Sequence, residues 1–362
     1  MFSHYAYELG TLNVSNTMNK IITIYQKEEW MAYVSRSFFY DFYHTWTFHF
    51  LENSGSPFLF VYENNEDFIA IPFLKRKVPE SGFFDLSSVY GFVGPISNKN
   101  FEDLNEEFLD DCKSSLISFL FEEKIITIFS RLHPFISQNA LLEKFGGVHD
   151  NGKTIVMDLA KPINVQRAKY SKVYSKIRQL KRIGYHLKEG NSIDDIKMFL
   201  SIYNENMGRL KANTTYIFTE EYLITLLNSK EYDAKLYFVI NENGSPVCGT
   251  IIVFTNQLVQ GHLIATKEEY RSISPAKLLV DEVSLIGRER GMRYYNLGGG
   301  LGFQEDSLYH WKLTFSNLTL HHQTWRYVVD PLAYQSVMEQ YHIDNQSNID
   351  FFPLYRSRLK TV

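Results

Sequence analysis

Residues 258–297, LVQGHLIATKEEYRSISPAKLLVDEVSLIGRERGMRYYNL, decide the fold. An apolar run at 258–265 precedes a polar turn, a helical pattern over 275–290 and a second apolar run at 293–297. Pro275 suits the first helical position, because proline has no N–H to leave unpaired there. The pattern predicts a strand, a helix and a second strand in succession.

The rest of the second half extends this unit. Residues 235–240 and 247–254 predict two strands joined by an Asn243-Gly244 turn, so three antiparallel strands precede the helix. The other predicted elements are strands at 154–159 and 316–329 and helices at 163–183, 193–208, 220–227, 306–314 and 331–341. Asp281 and Glu282, on the helix over 275–290, are expected to face solvent.

The first half has the same order of elements without sequence similarity to the second. Its predicted elements are strands at 21–25, 84–95 and 125–135, a hairpin over 58–76 turning at Asn64-Asn65, and helices at 28–35, 38–52, 101–123 and 139–145. The repeated order predicts an α/β protein of two domains, residues 1–153 and 154–335, with residues 336–362 as a tail packing on them. Each domain is expected to be a mixed, mostly antiparallel sheet flanked by helices.

Composition limits the classes of function. The 362 residues are 15% aromatic, which suits pockets for flat ligands, and the net charge of −4 gives no argument for DNA. Two cysteines, Cys112 and Cys248, are too few for a structural zinc site and predict buried thiols in a reducing compartment. The first twenty residues hold no apolar run, so we expect a cytoplasmic protein without a transmembrane segment, able to work at the inner membrane face.

Five stretches, taken in order, resemble the bacterial FemAB-like family of acyl- and aminoacyltransferases. They are DLSSVYGFVGP (85–95), the basic helix over 167–185, VQGHLIAT (259–266), residues 270–300 and DSLYHWKLTFS (306–316). The resemblance covers roughly residues 28–335 and implies two tandem Gcn5-related N-acetyltransferase (GNAT) domains. It also implies amide formation on a small-molecule or lipid-linked cell-envelope precursor, for peptidoglycan or polysaccharide assembly. The co-substrate would be acyl-CoA or aminoacyl-tRNA, with no tightly bound cofactor and no metal.

The resemblance assigns donor binding to two segments. Residues 271–276 resemble the GNAT phosphate loop, Arg-x-x-Gly-x-Gly/Ala, in which a helix N-terminus holds a pyrophosphate. Ser274 stands where glycine is usual and Pro275 removes one N–H donor, so an ordinary helix start capped by Ser274 is the alternative. The glycines after residue 297 allow close approach of a ligand, or form a flexible connection. The donor-binding candidates are Arg271, Ser274, Ala276, Lys277, Asn296, Gly298, Gly299 and Gly300.

Three residues are candidates for catalysis. Trp311-Lys312-Leu313-Thr314-Phe315 resembles a Phe-Lys-x-x-Phe pattern of the family, which implies that Lys312 holds a phosphate or carboxylate of a substrate. Asp306 is expected to cap this short helix. His262 has a side chain suited to take a proton from the attacking amine. The alternatives are a solvated lysine and a packed histidine.

Aromatic and charged groups in the first half predict an acceptor site. The candidates are Asp41, Tyr43, His44, Trp46, Tyr90 and Arg131, and core packing is the alternative for most of them. Residues 159–188 carry nine basic side chains and no acid. They predict an anionic partner such as tRNA, an undecaprenyl-type phosphate or a nucleotide sugar, or else a solvated helix face. A protein that kept the fold as a non-catalytic binding module is the alternative to an enzyme.

Overall fold

The computed structural model describes residues 18–64, 66–211, 216–343 and 350–357, so the N-terminal segment and Asn65 of the predicted turn lie outside the described residues. The elements of the first half are β1 Met18–Thr23, α1 Lys27–Arg36, α2 Trp46–Phe50, β2 Ser56–Glu63, β3 Phe68–Lys77, β4 Phe84–Ser87, β5 Ile96–Ser97, α3 Glu106–Glu122, β6 Ile125–Arg131 and α4 Asn139–Leu142.

The second half begins with a long strand. Its elements are β7 Val148–Asp158, α5 Ile163–Lys169, α6 Ser171–Arg182, β8 His186–Gly190, α7 Ile193–Leu210, α8 Glu220–Asn228, β9 Asp233–Ile240, β10 Pro246–Thr255, β11 Leu258–Thr266, α9 Ala276–Glu289, β12 Tyr294–Gly298, α10 Ser307–Leu313, β13 Leu318–Val328 and α11 Pro331–Gln340. Among the described residues, none of these helices has the length and apolar character of a membrane span.

The strands form one continuous sheet. Its order is β1-β2-β3-β4-β6-β13-β7-β12-β11-β10-β9-β8, with β5 on β3. The pairs β4–β6 and β11–β12 are parallel, and the other paired strands are antiparallel. Each parallel pair is connected through a helix, α3 in the first half and α9 in the second. The predicted class, mixed and mostly antiparallel sheet flanked by helices, is confirmed. The division into two domains at residue 153 stays a prediction, and that position lies inside β7.

Three predicted elements end earlier than expected or are interrupted. The predicted helix over 38–52 is wrong: a 3-10 turn at Phe42–His44 precedes α2, because Asp41 caps the turn and the Thr45 hydroxyl donates to the Phe42 carbonyl at 2.7 Å. The predicted strand over 84–95 ends at Ser87, since Gly91 and Gly94 take positive φ values. The predicted helix over 163–183 breaks at Tyr170.

Tyr170 leaves the helix to reach a buried carboxylate. Its hydroxyl donates to Asp281 at 2.8 Å, and Arg167 donates to both oxygens of the same carboxylate at 3.0 and 2.7 Å. The prediction that Asp281 faces solvent is therefore wrong, because this carboxylate is fully buried. A buried charge of this kind needs such partners, and here they attach α5 and α6 to α9.

A second buried carboxylate holds the C-terminal segment on the first half. Asp85 of β4 accepts from Arg76 at 2.7 Å, from Arg356 at 2.6 Å and from the Tyr355 hydroxyl at 3.0 Å. Tyr355 also packs with Val337 of α11 in an apolar cluster against β6. Residues 350–357 are thus fixed by charge and by packing together.

The halves share an apolar core on one face of the sheet. Phe42, Tyr43 and Phe92 of the first half pack with Phe199 and Leu263 of the second half. The opposite face of the second half is covered by α6 and α9, whose apolar residues pack on β9 to β12. The sheet positions described below therefore lie between two packed layers.

Candidate functional site

The parallel strands β11 and β12 separate after three paired residues. The last pair is Gln260 with Asn296, although β11 continues to Thr266. A bulge in β11 places Gly261 opposite Ile252 and Leu263 opposite Ile251, so His262 has no partner in the ladder with β10. Bulges bend a strand away from its neighbour. The second half therefore contains a splayed slot that opens beyond Gln260.

The corresponding gap in the first half is filled. The loop after β4 returns to β6, where Ser88 N–H donates to the Phe129 carbonyl at 2.9 Å and Val93 N–H to the Arg131 carbonyl at 2.8 Å. Val89 and Val93 are fully buried. By contrast, the strand pairing of β11 with β12 ends at Gln260 and Asn296 among the described residues.

A ladder of three buried polar side chains spans the start of the slot. The Asn296 amide donates to Gln260 at 3.0 Å, and its oxygen accepts from the Thr154 hydroxyl at 2.6 Å and from Gly298 N–H at 2.9 Å. These bonds connect β7, β12 and β11 side by side. Asn296, predicted to contact the donor, thus lies at the start of the slot and has its own hydrogen bonds satisfied.

His262 lies at the bulge, among aromatic rings of the first half. Its side chain is 8% exposed, its ring centroid is 5.2 Å from that of Phe42, and Nδ1 is 3.5 Å from the Tyr43 hydroxyl. Nε2 has no hydrogen-bond partner among the described residues. Burial lowers the pKa of His262 to about 3, so the imidazole is neutral and is a weak base for an ammonium proton.

Lys312 of α10 reaches the end of β12. Its Nζ donates to the Gly299 carbonyl at 2.6 Å and is 3.2 Å from where a Cβ of Gly298 would lie. Burial lowers the pKa of Lys312 to about 8, partly opposed by the charge of Asp306. The lysine is therefore a partly desolvated cation at the slot, with no carboxylate within ion-pair distance among the described residues.

The glycine run is packed tightly rather than left open. Asp306 caps α10 by accepting from Tyr309 N–H at 2.9 Å and also accepts from Leu301 N–H at 3.0 Å. A Cβ on Gly300 would lie 2.0 Å from the Gln304 carbonyl, and one on Gly299 would lie 2.6 Å from the Phe303 ring. These glycines allow the chain to close on itself and to bring α10, with Lys312, to the strand.

Replacing Gly300 by alanine is expected to destabilise the fold by about 1–3 kcal/mol, because the new methyl group overlaps the Gln304 carbonyl. Gly208→Ala is the control: it lies in α7 with open space at its Cβ and is expected to stabilise by up to about 1 kcal/mol. Urea unfolding of both variants measures the difference. Equal stability of Gly300→Ala and the parent would contradict the tight closure.

Most backbone N–H groups of the predicted phosphate loop already donate to carbonyls within the loop. The N–H groups of Arg271, Ile273 and Ser274 donate to carbonyls of the same turn, and Pro275 has none. Only Ser272 and Ala276 of residues 271–276 keep an N–H without an acceptor in the described part of the chain. The Arg271 side chain is paired with Glu268 at 3.1 Å. This loop therefore has little capacity left for a pyrophosphate.

The remaining cations near that loop are lysines. Lys277, at the start of α9, has its pKa lowered by burial and by the neighbouring charge of Lys176. The basic side chains of residues 159–188 fall into two groups. Lys161, Arg167 and Lys181 pair with carboxylates, whereas Lys172, Lys176, Arg178, Arg182 and Lys188 are exposed without an ion pair among the described residues.

Most acceptor-site candidates among residues 38–52 are core residues. Asp41 is buried, accepts from Phe42 N–H at 2.7 Å and lies 3.3 Å from His133 Nε2. His44 is fully buried, and burial lowers its pKa well below the usual value. Trp46 donates to the Ile24 carbonyl at 2.7 Å. Tyr43 alone reaches the second half, at His262.

Tyr90 and Arg131 lie near each other and near residues of the second half. Tyr90 is 47% exposed, and its ring is 5.9 Å from Tyr216 and 6.5 Å from His262. Arg131 lies 5.1 Å above the Phe129 ring and has no ion pair among the described residues. Burial raises the pKa of Tyr90 and lowers that of Arg131.

Several residues of the site were missed in the sequence. Gln260 and Thr154 lie in strands, where their polar side chains at buried positions were the available signal. His322 is 3.5 Å from the Phe303 ring and 5.3 Å from Phe92, and no local pattern relates these three. Cys112 and Cys248 are free and buried, as predicted, and no cluster of metal-binding side chains occurs in the described ranges.

Comparisons with known proteins agree with the fold. The model of the acetyltransferase (GNAT) domain family matches residues 167–313. The structure is similar to that of FemX, at a TM-score of 0.68 and 14% identity over 88% of this chain and 99% of FemX. It is also similar to L-PGS from Bacillus licheniformis, at a TM-score of 0.57 and 16% identity over 84% of this chain and 92% of that one.

A third similar structure is a conserved protein of unknown function from Bacteroides thetaiotaomicron, with a TM-score of 0.58 and 14% identity over 86% of this chain and 99% of that one. No curated protein matches the sequence. Identities this low establish the fold alone. The chain thus has the fold of FemX, and its residues 167–313 match the GNAT acetyltransferase domain family.

Proposed function

We propose that the protein is an acyl- or aminoacyltransferase that forms an amide on an amino group of a cell-envelope precursor of peptidoglycan or polysaccharide. The observation that carries the proposal is the position of Lys312, a partly desolvated cation at the end of β12 beside the splayed slot. A fixed cation at such a place can stabilise the oxyanion of acyl transfer. The GNAT domain match and the FemX-like fold support the transferase class.

The reaction needs positioning more than a strong base. The acceptor amine forms a C–N bond with the donor carbonyl, whose oxygen becomes an oxyanion near the Lys312 ammonium. The C–O or C–S bond to the donor then breaks, and the amine proton leaves with the departing oxygen or sulfur. Asp306 contributes by fixing α10. His262 is less suited to the predicted role of base, because its pKa is about 3.

The loop over 271–276 favours an aminoacyl-tRNA donor over acyl-CoA. Pro275 has no N–H, and three other N–H groups of the loop already donate to carbonyls of the same turn. The loop therefore offers few donors to a coenzyme A pyrophosphate. The unpaired Lys172, Lys176 and Lys277 provide instead a basic surface suited to single phosphates of an RNA backbone. We propose that the acceptor enters beside Tyr90 and Arg131. We also propose that the protein acts in the cytoplasm, at the inner membrane face.

A non-catalytic binding module is the second candidate. The phosphate loop favours this candidate, because most N–H groups of residues 271–276 donate within the loop. A GNAT fold that no longer binds an acyl donor would show the same use of its N–H groups. Its ligand would bind near the same residues, Tyr90 and Arg131, without transfer.

Titration calorimetry with acetyl-CoA, and separately with charged and uncharged tRNA, tests the proposal. We expect saturable binding of tRNA and weak or absent binding of acetyl-CoA. Tight acetyl-CoA binding would reverse the choice of donor, and binding of neither would leave the binding module. Mass spectrometry of a peptidoglycan precursor incubated with protein and charged tRNA then detects the added aminoacyl group.

Turnover is expected to fall as pH rises through about 8. The pKa of Lys312 is lowered to about 8, so the side chain is a cation below that pH and neutral above it. The rate at saturating substrates should be level below the pKa and fall about tenfold per unit above it. Lys312→Arg, which stays charged, should abolish the fall. A rate that rises through about 8 in the parent but not in Lys312→Arg would indicate that neutral Lys312 acts as a base, whereas a rise in both would reflect deprotonation of the acceptor amine.

A further inference from the structure

We propose that the buried Thr154–Asn296–Gln260 ladder positions Lys312 at the slot, by fixing the end of β12 to which the lysine is bound. This inference rests on the proposed transferase function, because it names the residues that hold the cation of that reaction in place. It makes Asn296 a positioning residue, which acts on the reaction through Lys312 and not through its own contact with the donor.

The hydrogen bonds of the ladder determine how the Asn296 amide is oriented. Its oxygen accepts from Gly298 N–H at 2.9 Å and from the Thr154 hydroxyl at 2.6 Å, and its nitrogen donates to Gln260 at 3.0 Å. A backbone N–H can only donate, so the amide oxygen has to face Gly298. Thr154 and Asn296 are fully buried and Gln260 is 2% exposed, so these bonds are shielded from solvent.

The glycine turn, Gly298 and Gly299, connects this orientation to the lysine. Gly298 has a φ of +76° and follows a shift of register between β12 and β7. The carbonyl of the next residue, Gly299, accepts from Lys312 Nζ at 2.6 Å. The Asn296 side chain thus holds the N–H of the first residue in the turn, and Lys312 binds the carbonyl of the second.

The ladder lies at a place where the sheet needs a defined geometry. Asparagine is unfavourable in strands, and burying an amide costs free energy unless its hydrogen bonds are made. The residues on either side of Asn296, Tyr295 and Leu297, are apolar and pack in the core under α9. Gln260 and Asn296 are the last pair of β11 and β12, so side-chain bonds fix β12 where the backbone pairing ends. A fully bonded polar network of this kind specifies one arrangement.

Charged groups lie near Lys312 on α10 and on both sides of the glycine turn. Asp306, at the start of α10, raises the pKa of Lys312 against the larger effect of burial, which lowers it to about 8. Lys153 of β7, whose carbonyl is 2.8 Å from where a Cβ of Gly299 would lie, pairs with Glu305 at 3.6 Å. The ladder itself carries no charge. Loosening the turn would therefore act on the pKa of Lys312 by exposing its ammonium to water, which raises the pKa.

Thr154→Val tests the ladder, because it removes one donor to Asn296 and keeps the shape of the side chain. NMR of protein isotope-labelled at the lysine Cε follows the titration of Lys312, whose signal is assigned by its absence from Lys312→Arg. We expect the titration midpoint to rise by about one pH unit or more, toward the ordinary lysine value of about 10.4. Thr154→Ser, which keeps the hydroxyl, should titrate as the parent does.

Thr127→Val is the matched control. Thr127 is also a fully buried threonine of the sheet, and its hydroxyl is 2.8 Å from that of Tyr355 in the C-terminal segment. The control should lower the melting temperature about as much as Thr154→Val does and leave the midpoint of Lys312 unchanged. An equal rise of the midpoint in both variants would overturn the proposal, because it would reflect general loosening of the fold.

The titration is separate from the test of the reaction, since it needs neither donor nor acceptor. At a pH below the parental midpoint, kcat of Thr154→Val should fall about 10-fold with little change in KM, because a displaced cation stabilises the transition state less. A raised midpoint with parental kcat would support the ladder and contradict the role of Lys312 in the reaction. An unchanged midpoint would overturn the ladder and leave that role standing.

Discussion

Lys312→Met is expected to lower kcat by about 10²–10³-fold while leaving the melting temperature unchanged or raised. Removal of one preorganised oxyanion donor has an effect of this size in acyl transfer. The substitution keeps the length and apolar stem of the side chain, so the packing of α10 on the sheet is retained. It also removes a charge that burial disfavours, as the lowered pKa of Lys312 indicates.

Single-turnover kinetics with preloaded donor separates this effect from binding. The control is Lys153→Met. Lys153 lies beside the same glycine loop, but its side chain is 44% exposed and its contact with Glu305 is 3.6 Å. We expect the control to retain parental kcat. If Lys312→Met transfers the acyl group at the parental rate, the cation does not stabilise the transition state and the role assigned to the slot is lost.

Asp85→Ala is expected to destabilise the protein by about 3–5 kcal/mol. Asp85 is fully buried and accepts from two arginines and a tyrosine, so its removal leaves Arg76 and Arg356 partly buried without their counterion. The same change releases Tyr355 and with it the C-terminal segment over 350–357. The cost arises mainly from the charges left behind, rather than from the bonds alone.

Equilibrium urea unfolding measures the change, with Glu305→Ala as the control. Glu305 forms an exposed ion pair, which contributes less than about 1 kcal/mol. A loss in Asp85→Ala no larger than in the control would mean that Asp85 does not hold the C-terminal segment. Limited proteolysis should then also find that segment protected to the parental degree.

The elements with strong local signals could be predicted from the sequence. Pro275 and the helical pattern after it predicted α9. The strand signals at 235–240, 247–254 and 258–265, with the Asn243-Gly244 turn, predicted β9, β10 and β11. The predictions failed at residues whose side chains compete with the backbone for hydrogen bonds. Asp41 and Thr45 divided a predicted helix, and Tyr170 broke another in order to reach Asp281, a contact with a residue 111 positions away.

The site was predictable only where a motif marks it. The pattern around Lys312 and the capping residue Asp306 could be read locally. Asp306 caps α10 and Lys312 donates to the Gly299 carbonyl, while the roles of both in the reaction stay predictions. The Thr154–Asn296–Gln260 ladder joins strands that are up to 142 residues apart in sequence. Such a contact depends on strand order, which local spacing does not encode. The use of N–H groups within the phosphate loop likewise depends on its three-dimensional turn.

The central position of β13 affects how the protein can be made. This strand ends at Val328 yet lies between β6 and β7, so it joins the two halves of the sheet. During synthesis both β6 and β7 leave the ribosome long before their shared neighbour, each with an unpaired edge. Closure of the sheet therefore waits for residues 318–328, and the nascent chain has to be kept from pairing with other chains until they emerge.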